Sequence, residues 1–373
     1  MMQDRPLNIV VLGLSMTSSW GNGHATIYRA LVKSLIKRQH RVLFLERDMP
    51  WYASARDAPP SAVGPVRLYD SLDDLITQYA ERVRSADLVI VGSFVPDGHA
   101  VGRWVNDTAE GFTAFYDIDT PVTLAAMEKN SCDYLDAELL RRFSIYLSFT
   151  GGPTVHHLRQ RWGAAMAKAF YCCVDVDAYP PAVVPSQWDL GYMGTYSDDR
   201  QPKLEKLLIE PARKWPEGRF VVAGPQYPEK VDWPDSVERV DHLAPPDHPE
   251  FYHEQRFTLN LTRSDMVRAG YSPSVRLFEA AACGTPIISD WWEGLDQFFE
   301  PDTEILIADD TDDVLRYLRR FSEDDRRQMA HRARQRVLRE HSSDVRAVEL
   351  EGLVEQLRSG RGAASPSADA AAG

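Results

Sequence analysis

The feature that most constrains this chain is an alternation of short apolar runs with amphipathic stretches of helical length. It begins with Asn8–Leu14 (NIVVLGL), and a helical segment follows from about His24 to Arg38. There Ile27, Tyr28, Leu31, Val32, Leu35 and Ile36 recur at helical spacing and form one apolar face. A second strand is predicted at Arg41–Leu45, and further apolar runs lie at Asp87–Val91, Gly111–Tyr116 and Ile145–Phe149. The polar segments Leu72–Arg84 and Ser131–Arg142 between them have helical length. Strand, helix, strand is the pattern of a parallel sheet covered by helices on both faces.

The alternation stops at the proline-rich segment Ala178–Gln187 (AYPPAVVPSQ), which reads as an extended linker, and then restarts. Strands are predicted at Leu190–Met193, Arg219–Ala223, Val237–Val240, Phe257–Leu261, Pro286–Ser289 and Glu304–Ile307. Helices are predicted at Pro202–Trp215, Pro273–Cys283, Asp312–Phe321 and Asp325–Glu340. A length of 373 residues exceeds what one core usually serves. The expected fold class is therefore α/β, with two Rossmann-like, doubly wound domains facing across a cleft. The expected division is a first domain over 1–179, a linker over 180–187 and a second domain over 188–342. A last helix over 343–358 is expected to pack back on the first domain, with a disordered tail over 359–373. In such sheets ligands bind outside the carboxyl ends of the strands.

Composition narrows the partners. A formal net charge of −13 disfavours non-specific binding to nucleic acid or an anionic membrane. No apolar run approaches the roughly 18 residues of a membrane span, and Leu7–Leu14 lacks the flanks of a signal peptide, so a cytoplasmic enzyme is expected. Cys132, Cys172, Cys173 and Cys283 include no CxxC pair and read as reduced, mostly buried thiols.

The most informative stretch is Tyr271–Asp290 (YSPSVRLFEAAACGTPIISD). Ser272 reads as a helix cap, Pro273 suits the first helical position, and Gly284 suits a left-handed stop. The N–H groups of Ser274 and Val275 would then point outward at the positive end of the helix dipole, a ready site for a diphosphate. Arg276 would add a forked cation. Glu279, one turn on, would accept hydroxyls of a ribose. A plain Arg276–Glu279 surface pair is the bland alternative. The preceding strand end, with Asn260, Thr262 and Arg263, favours the ligand site.

On these residues, SVRLFEAAACGTPIISD resembles the donor-binding helix of GT-B glycosyltransferases of the group 1 type, most closely the group with the CgeB-like spore-maturation proteins. The resemblance implies a GT-B fold, a nucleoside diphosphate sugar as donor, an acceptor of unspecified kind, and a metal-independent reaction without a cofactor. The wider retaining families carry two glutamates separated by seven residues. Glu279 matches the second, but Tyr271 stands at the first, which leaves the stereochemical outcome open. A nucleotide-sugar epimerase of the same fold, or a non-catalytic sugar-nucleotide or glycan binder, are the alternatives.

Other segments extend the expected site. Gly194-Thr195 follows the first strand of the second domain, where a small residue lets backbone N–H groups approach a phosphate, with Arg200 as the nearest cation and Lys203 behind it. Trp20-Gly21-Asn22-Gly23-His24 joins the first strand to its helix, placing Gly21 and Gly23 near donor or acceptor and His24 as a proton-handling group. The glycines with Glu46 or Asp48 imitate a nicotinamide fingerprint, but Thr26 holds the third glycine's place, and that reading is rejected. Strand alternation predicts Asp117 and Asp119 on one face, as acceptor contacts or a base; Asp175-Val176-Asp177 shows how common that pattern is.

Overall fold

The computed structural model describes residues 5–20, 23–60 and 64–364. Seven strands form the first sheet: β1 (Asn8–Gly13), β2 (Arg41–Arg47), β3 (Val66–Tyr69), β4 (Leu88–Gly92), β5 (Phe112–Asp117), β6 (Ile145–Ser148) and β7 (Ala167–Ala169). They lie in the order β3-β2-β1-β4-β5-β6-β7 with every pair parallel. Six more form the second sheet: β8 (Trp188–Met193), β9 (Phe220–Ala223), β10 (Val237–Val240), β11 (Gln255–Asn260), β12 (Ile287–Ser289) and β13 (Leu306–Ile307). Their order, β10-β9-β8-β11-β12-β13, is also wholly parallel. The central strands β4, β5 and β9 are buried at every position, as sheets covered on both faces require. Two Rossmann-like lobes of one architecture result, each with its strand order reversing beside its first strand.

Several elements depart from the sequence reading for identifiable reasons. The helix predicted over 202–215 is broken into Gln201–Leu204, a wider π turn over Glu205–Ile209, and Glu210–Lys214. Pro211 has no N–H to give and its ring crowds the carbonyl four residues back, so the turn before it widens. The helix expected from Ser272 starts at Val275, with Ser274 as its cap. Disorder expected from residue 359 is not found over 359–364, because the last helix continues from Ser343 to Ala364. The strands β3 and β7, of four and three residues, are too short to stand out in the sequence.

The chain passes between the lobes twice, and the two passages touch. Val174 forms a parallel bridge with Ser342; its N–H donates to the His341 carbonyl at 3.2 Å, and Ser343 N–H donates back to Val174 at 2.9 Å. The last helix then lies on the helix His24–Lys37 of the first lobe. Ser34 meets Ser343 at 2.8 Å, and Arg38 grips Glu351 at 2.5 and 2.7 Å. One apolar cluster runs through both lobes, including Tyr28, Phe170, Phe278 and Phe298. No helix among the described residues is long and apolar enough to cross a membrane.

Candidate active site

A cleft of about 480 Å³ lies where the carboxyl ends of the two sheets meet. Its second-lobe wall is built on the helix Val275–Cys283. Ser274 caps that helix, its Oγ accepting from Arg276 N–H at 3.3 Å. Among the described residues nothing accepts from the N–H groups of Ser274 and Val275, and both residues line the cleft. The helix therefore presents unsatisfied donors and its positive end to the cavity.

Arginines surround that opening. Arg276 donates to the carbonyls of Met193 at 2.6 Å and Leu261 at 3.0 Å, and to Ser274 Oγ at 3.1 Å, which fixes its fork against the ends of β8 and β11. Gly194 makes this possible, because a Cβ there would sit 2.6 Å from both Arg276 Nη1 and the Tyr192 hydroxyl. Arg200 donates to the Thr195 carbonyl at 2.6 Å, while its buried Nε has no partner. Burial holds the Arg200 guanidinium below its ordinary value, and the charges of Arg276 and Arg263 push the same way. Among the described residues, none of these three arginines is in an ion pair, although ion pairs are numerous elsewhere. Lys203, placed behind Arg200 by the sequence reading, is instead paired with the buried Asp290.

Glu279 is 2% exposed and lies at the inner end of the cleft. Its carboxylate accepts from the hydroxyls of Tyr179 at 3.0 Å and Tyr252 at 3.2 Å, with His248 Nδ1 at 3.8 Å. The surface pair considered for Arg276 and Glu279 is absent: the first is spent on carbonyls and the second on tyrosines. Tyr179, Tyr252 and His248 were not singled out in the sequence, since only the fold brings them to Glu279.

Two expected site residues lie elsewhere. Asn260 is 2% exposed, does not line the cleft, and ties β11 to β12 by donating to Ser289 Oγ at 3.0 Å. Asp117 is fully buried behind the cleft, where Tyr146 and Thr123 donate to it and burial pushes its carboxyl up to about 6. The alternation that put it beside Asp119 fails because β5 ends at Asp117 and Asp119 already caps the next helix. Tyr271 is also outside the cleft lining, its ring held between Gly152 of the first lobe and Gly294 of the second.

On the first-lobe wall, Gly23 precedes the helix His24–Lys37, and both Gly23 and His24 line the cleft. His24 Nε2 is 3.1 Å from Asp119 Oδ2. Gly21 lies outside the described residues. The preceding loop is pinned by Glu46, which accepts from Met16 N–H at 2.6 Å, Thr17 N–H at 3.0 Å and Ser15 Oγ at 3.1 Å. Glu46 is thereby occupied with its own loop, consistent with rejecting the nicotinamide fingerprint.

Comparison with known proteins agrees with this layout. Residues 200–352 match a family described as glycosyl transferase-like. No curated protein matches the chain in sequence. Among solved structures, sucrose-phosphate synthase from Thermosynechococcus elongatus is similar over 95% of this chain and 100% of its own, with TM-score 0.67 and 14% identity. Anabaena HepE in complex with UDP-glucose is similar over 93% and 99%, with TM-score 0.69 and 14% identity. An alpha-glucosyltransferase in complex with UDP-glucose and DNA containing an abasic site is similar over 94% and 100%, with TM-score 0.71 and 14% identity. The fold is GT-B. The match to the glycosyl transferase-like family lies within the second lobe and its passage to the last helix.

Proposed function

We propose that this chain transfers a glycosyl group from a nucleoside diphosphate sugar to an acceptor nucleophile, without a metal ion. The observation that carries the reading is the trio Arg200, Arg263 and Arg276, free of carboxylate partners among the described residues, around a helix N-terminus whose Ser274 and Val275 N–H groups have no acceptor there. Such an arrangement suits a multiply charged anion such as a diphosphate. The bond from the anomeric carbon to the diphosphate oxygen breaks, and the acceptor oxygen bonds to that carbon. Charge gathering on the departing diphosphate is met by the Ser274 and Val275 N–H groups and the arginines. Glu279 takes the ribose hydroxyls, its oxygens already aligned by Tyr179 and Tyr252. The acceptor proton passes to His24, whose cation Asp119 supports. Closure of the lobes keeps water from the donor. The relatives solved with UDP or UDP-glucose make a uridine nucleotide the first donor to try.

Thermal shift with UDP, ADP and GDP tests this, because a ligand of the native state stabilises it by mass action. A nucleoside diphosphate is expected to raise the midpoint in wild type and far less in Arg200→Ala. Equal shifts in both proteins would remove the diphosphate from this cleft.

A further inference from the structure

We propose that Thr150 of the first lobe is a positioning residue for the donor diphosphate. It acts across the lobe boundary, through Ser272, on the helix end that meets the phosphates. The proposal rests on the glycosyl-transfer reading, in which the diphosphate lies against the N–H groups of Ser274 and Val275.

The segment Gly270–Pro273 delivers the chain to Ser274 and the helix Val275–Cys283. Three successive residues of that segment are held by the other lobe. Gly151 N–H donates to the Tyr271 carbonyl at 3.0 Å. Thr150 Oγ1 and Ser272 Oγ lie 2.7 Å apart. Cys172 Sγ donates to the Pro273 carbonyl at 3.3 Å. Thr150 and Gly151 follow β6, and Cys172 follows β7. The next residue along the second lobe is Ser274, the cap of the helix itself.

The direction of the Thr150 bond follows from counting protons, since a hydroxyl has one to give. Ser272 spends its proton on the Gly270 carbonyl at 2.8 Å, so Thr150 is the donor to Ser272. Both side chains are buried, at 0% and 1% exposure, where water offers no ready substitute. Thr150 is seated in its own lobe by Ser148, whose Oγ accepts from the Thr150 N–H at 3.1 Å.

The segment needs support from outside. Tyr271 has a φ of +48°, in the left-handed region that side chains disfavour. Such a conformation persists only where surrounding contacts enforce it. Its own lobe supplies one, with Tyr271 N–H donating to the Glu293 carbonyl at 2.7 Å. The first lobe supplies the Gly151 bond and the floor under the ring, where a Cβ on Gly152 would come within 2.3 Å of Tyr271. Groups that bind a ligand must be held within about 0.5 Å of the productive geometry by the residues behind them. Thr150 is such a residue for the Ser274 and Val275 N–H groups. The phosphate site thus lies in one lobe and takes its shape from both.

Isothermal calorimetry on the full chain, with UDP and with inorganic pyrophosphate as probes, tests this role. Thr150→Val keeps the branched shape and removes the proton donor. UDP affinity is expected to fall roughly three- to tenfold in that variant and to return to near wild type in Thr150→Ser. Ser272→Ala is expected to show a comparable loss. The double variant should lose no more than the worse single one, because the two groups share one bond. Unchanged affinity in a folded Thr150→Val protein overturns the proposal, and so do losses that simply add in the double variant. Should Thr150→Val not fold, Ser272→Ala decides alone, and unchanged affinity there overturns the proposal. If UDP fails to bind wild type while pyrophosphate binds, the nucleotide reading falls and the same variants judge Thr150 with pyrophosphate. If neither probe binds, both readings fall.

Discussion

The Tyr179 hydroxyl donates to Glu279 Oε1 at 3.0 Å, joining the segment that leaves the first lobe to the helix that opens the cleft in the second. Because Tyr252 holds the other oxygen at 3.2 Å, the carboxylate is held in one orientation. A carboxylate fixed by two tyrosines has less freedom to lose on binding a ligand.

Glu279→Ala should therefore do two things at once. UDP affinity should fall roughly tenfold or more, since hydrogen bonds to a charged group are the stronger kind. Stability should also fall, by about 1–3 kcal/mol, because two buried tyrosine hydroxyls lose their acceptor. Tyr179→Phe keeps the carboxylate satisfied by Tyr252 and should weaken UDP binding only a few-fold, by about 1 kcal/mol. Calorimetry with UDP and urea titration measure the two effects separately.

The two cleft arginines should behave differently. Arg200→Ala removes a buried cation that its neighbours already repel, so UDP binding should fall while the midpoint of unfolding hardly moves. Arg276→Ala also frees the carbonyls of Met193 and Leu261, and should lower both. Similar midpoints for the two variants would contradict the bracing role given to Arg276.

His24→Ala should lower kcat by about 10²–10⁴-fold if the histidine takes the acceptor proton. UDP affinity should be unchanged, because the arginines and helix end are untouched. Asp119→Asn should give a smaller loss and an altered pH dependence of kcat. A His24→Ala enzyme of normal kcat would leave the proton to another group.

His341 gives a pH-dependent outcome. Burial first, then the charges of Arg346 and Arg336, hold its imidazole down at about 3, against an ordinary value of 6.5. A depressed value means the folded state refuses a proton that the unfolded chain accepts. Its contribution is fully present above pH 6.5 and is lost as pH falls toward 3. The ring stacks on Phe278 at 4.3 Å, so His341→Phe keeps a flat partner while removing the titration. The variant should lose less stability than wild type between pH 6.5 and 4.5, read from unfolding midpoints across that range.

How much was legible depended on the range of the interactions. The two-lobed α/β plan was carried by apolar runs such as Asn8–Gly13 and Phe220–Ala223, because periodicity is a local property. Ser274, Val275, Arg276 and Glu279 could be read together from the sequence because one short helix and its cap carry all four, and all four line the cleft. Asp117 and Asn260 were misplaced because a strand end does not declare which side chains turn toward the cleft and which turn behind it. Tyr179 and Tyr252 reach Glu279 across 100 and 27 residues, and no local pattern records such a meeting.

The bridge between Val174 and Ser342 lays the two passages between the lobes side by side. Two strands of chain that leave one body side by side act as the knuckle of a door: they permit a swing about their common line and resist sliding or twisting. Opening to admit a nucleotide and closing over it would follow one arc, repeated each turnover. If the proposed transfer includes closure of the lobes, a substitution at that knuckle would alter the closure while leaving every cleft residue intact.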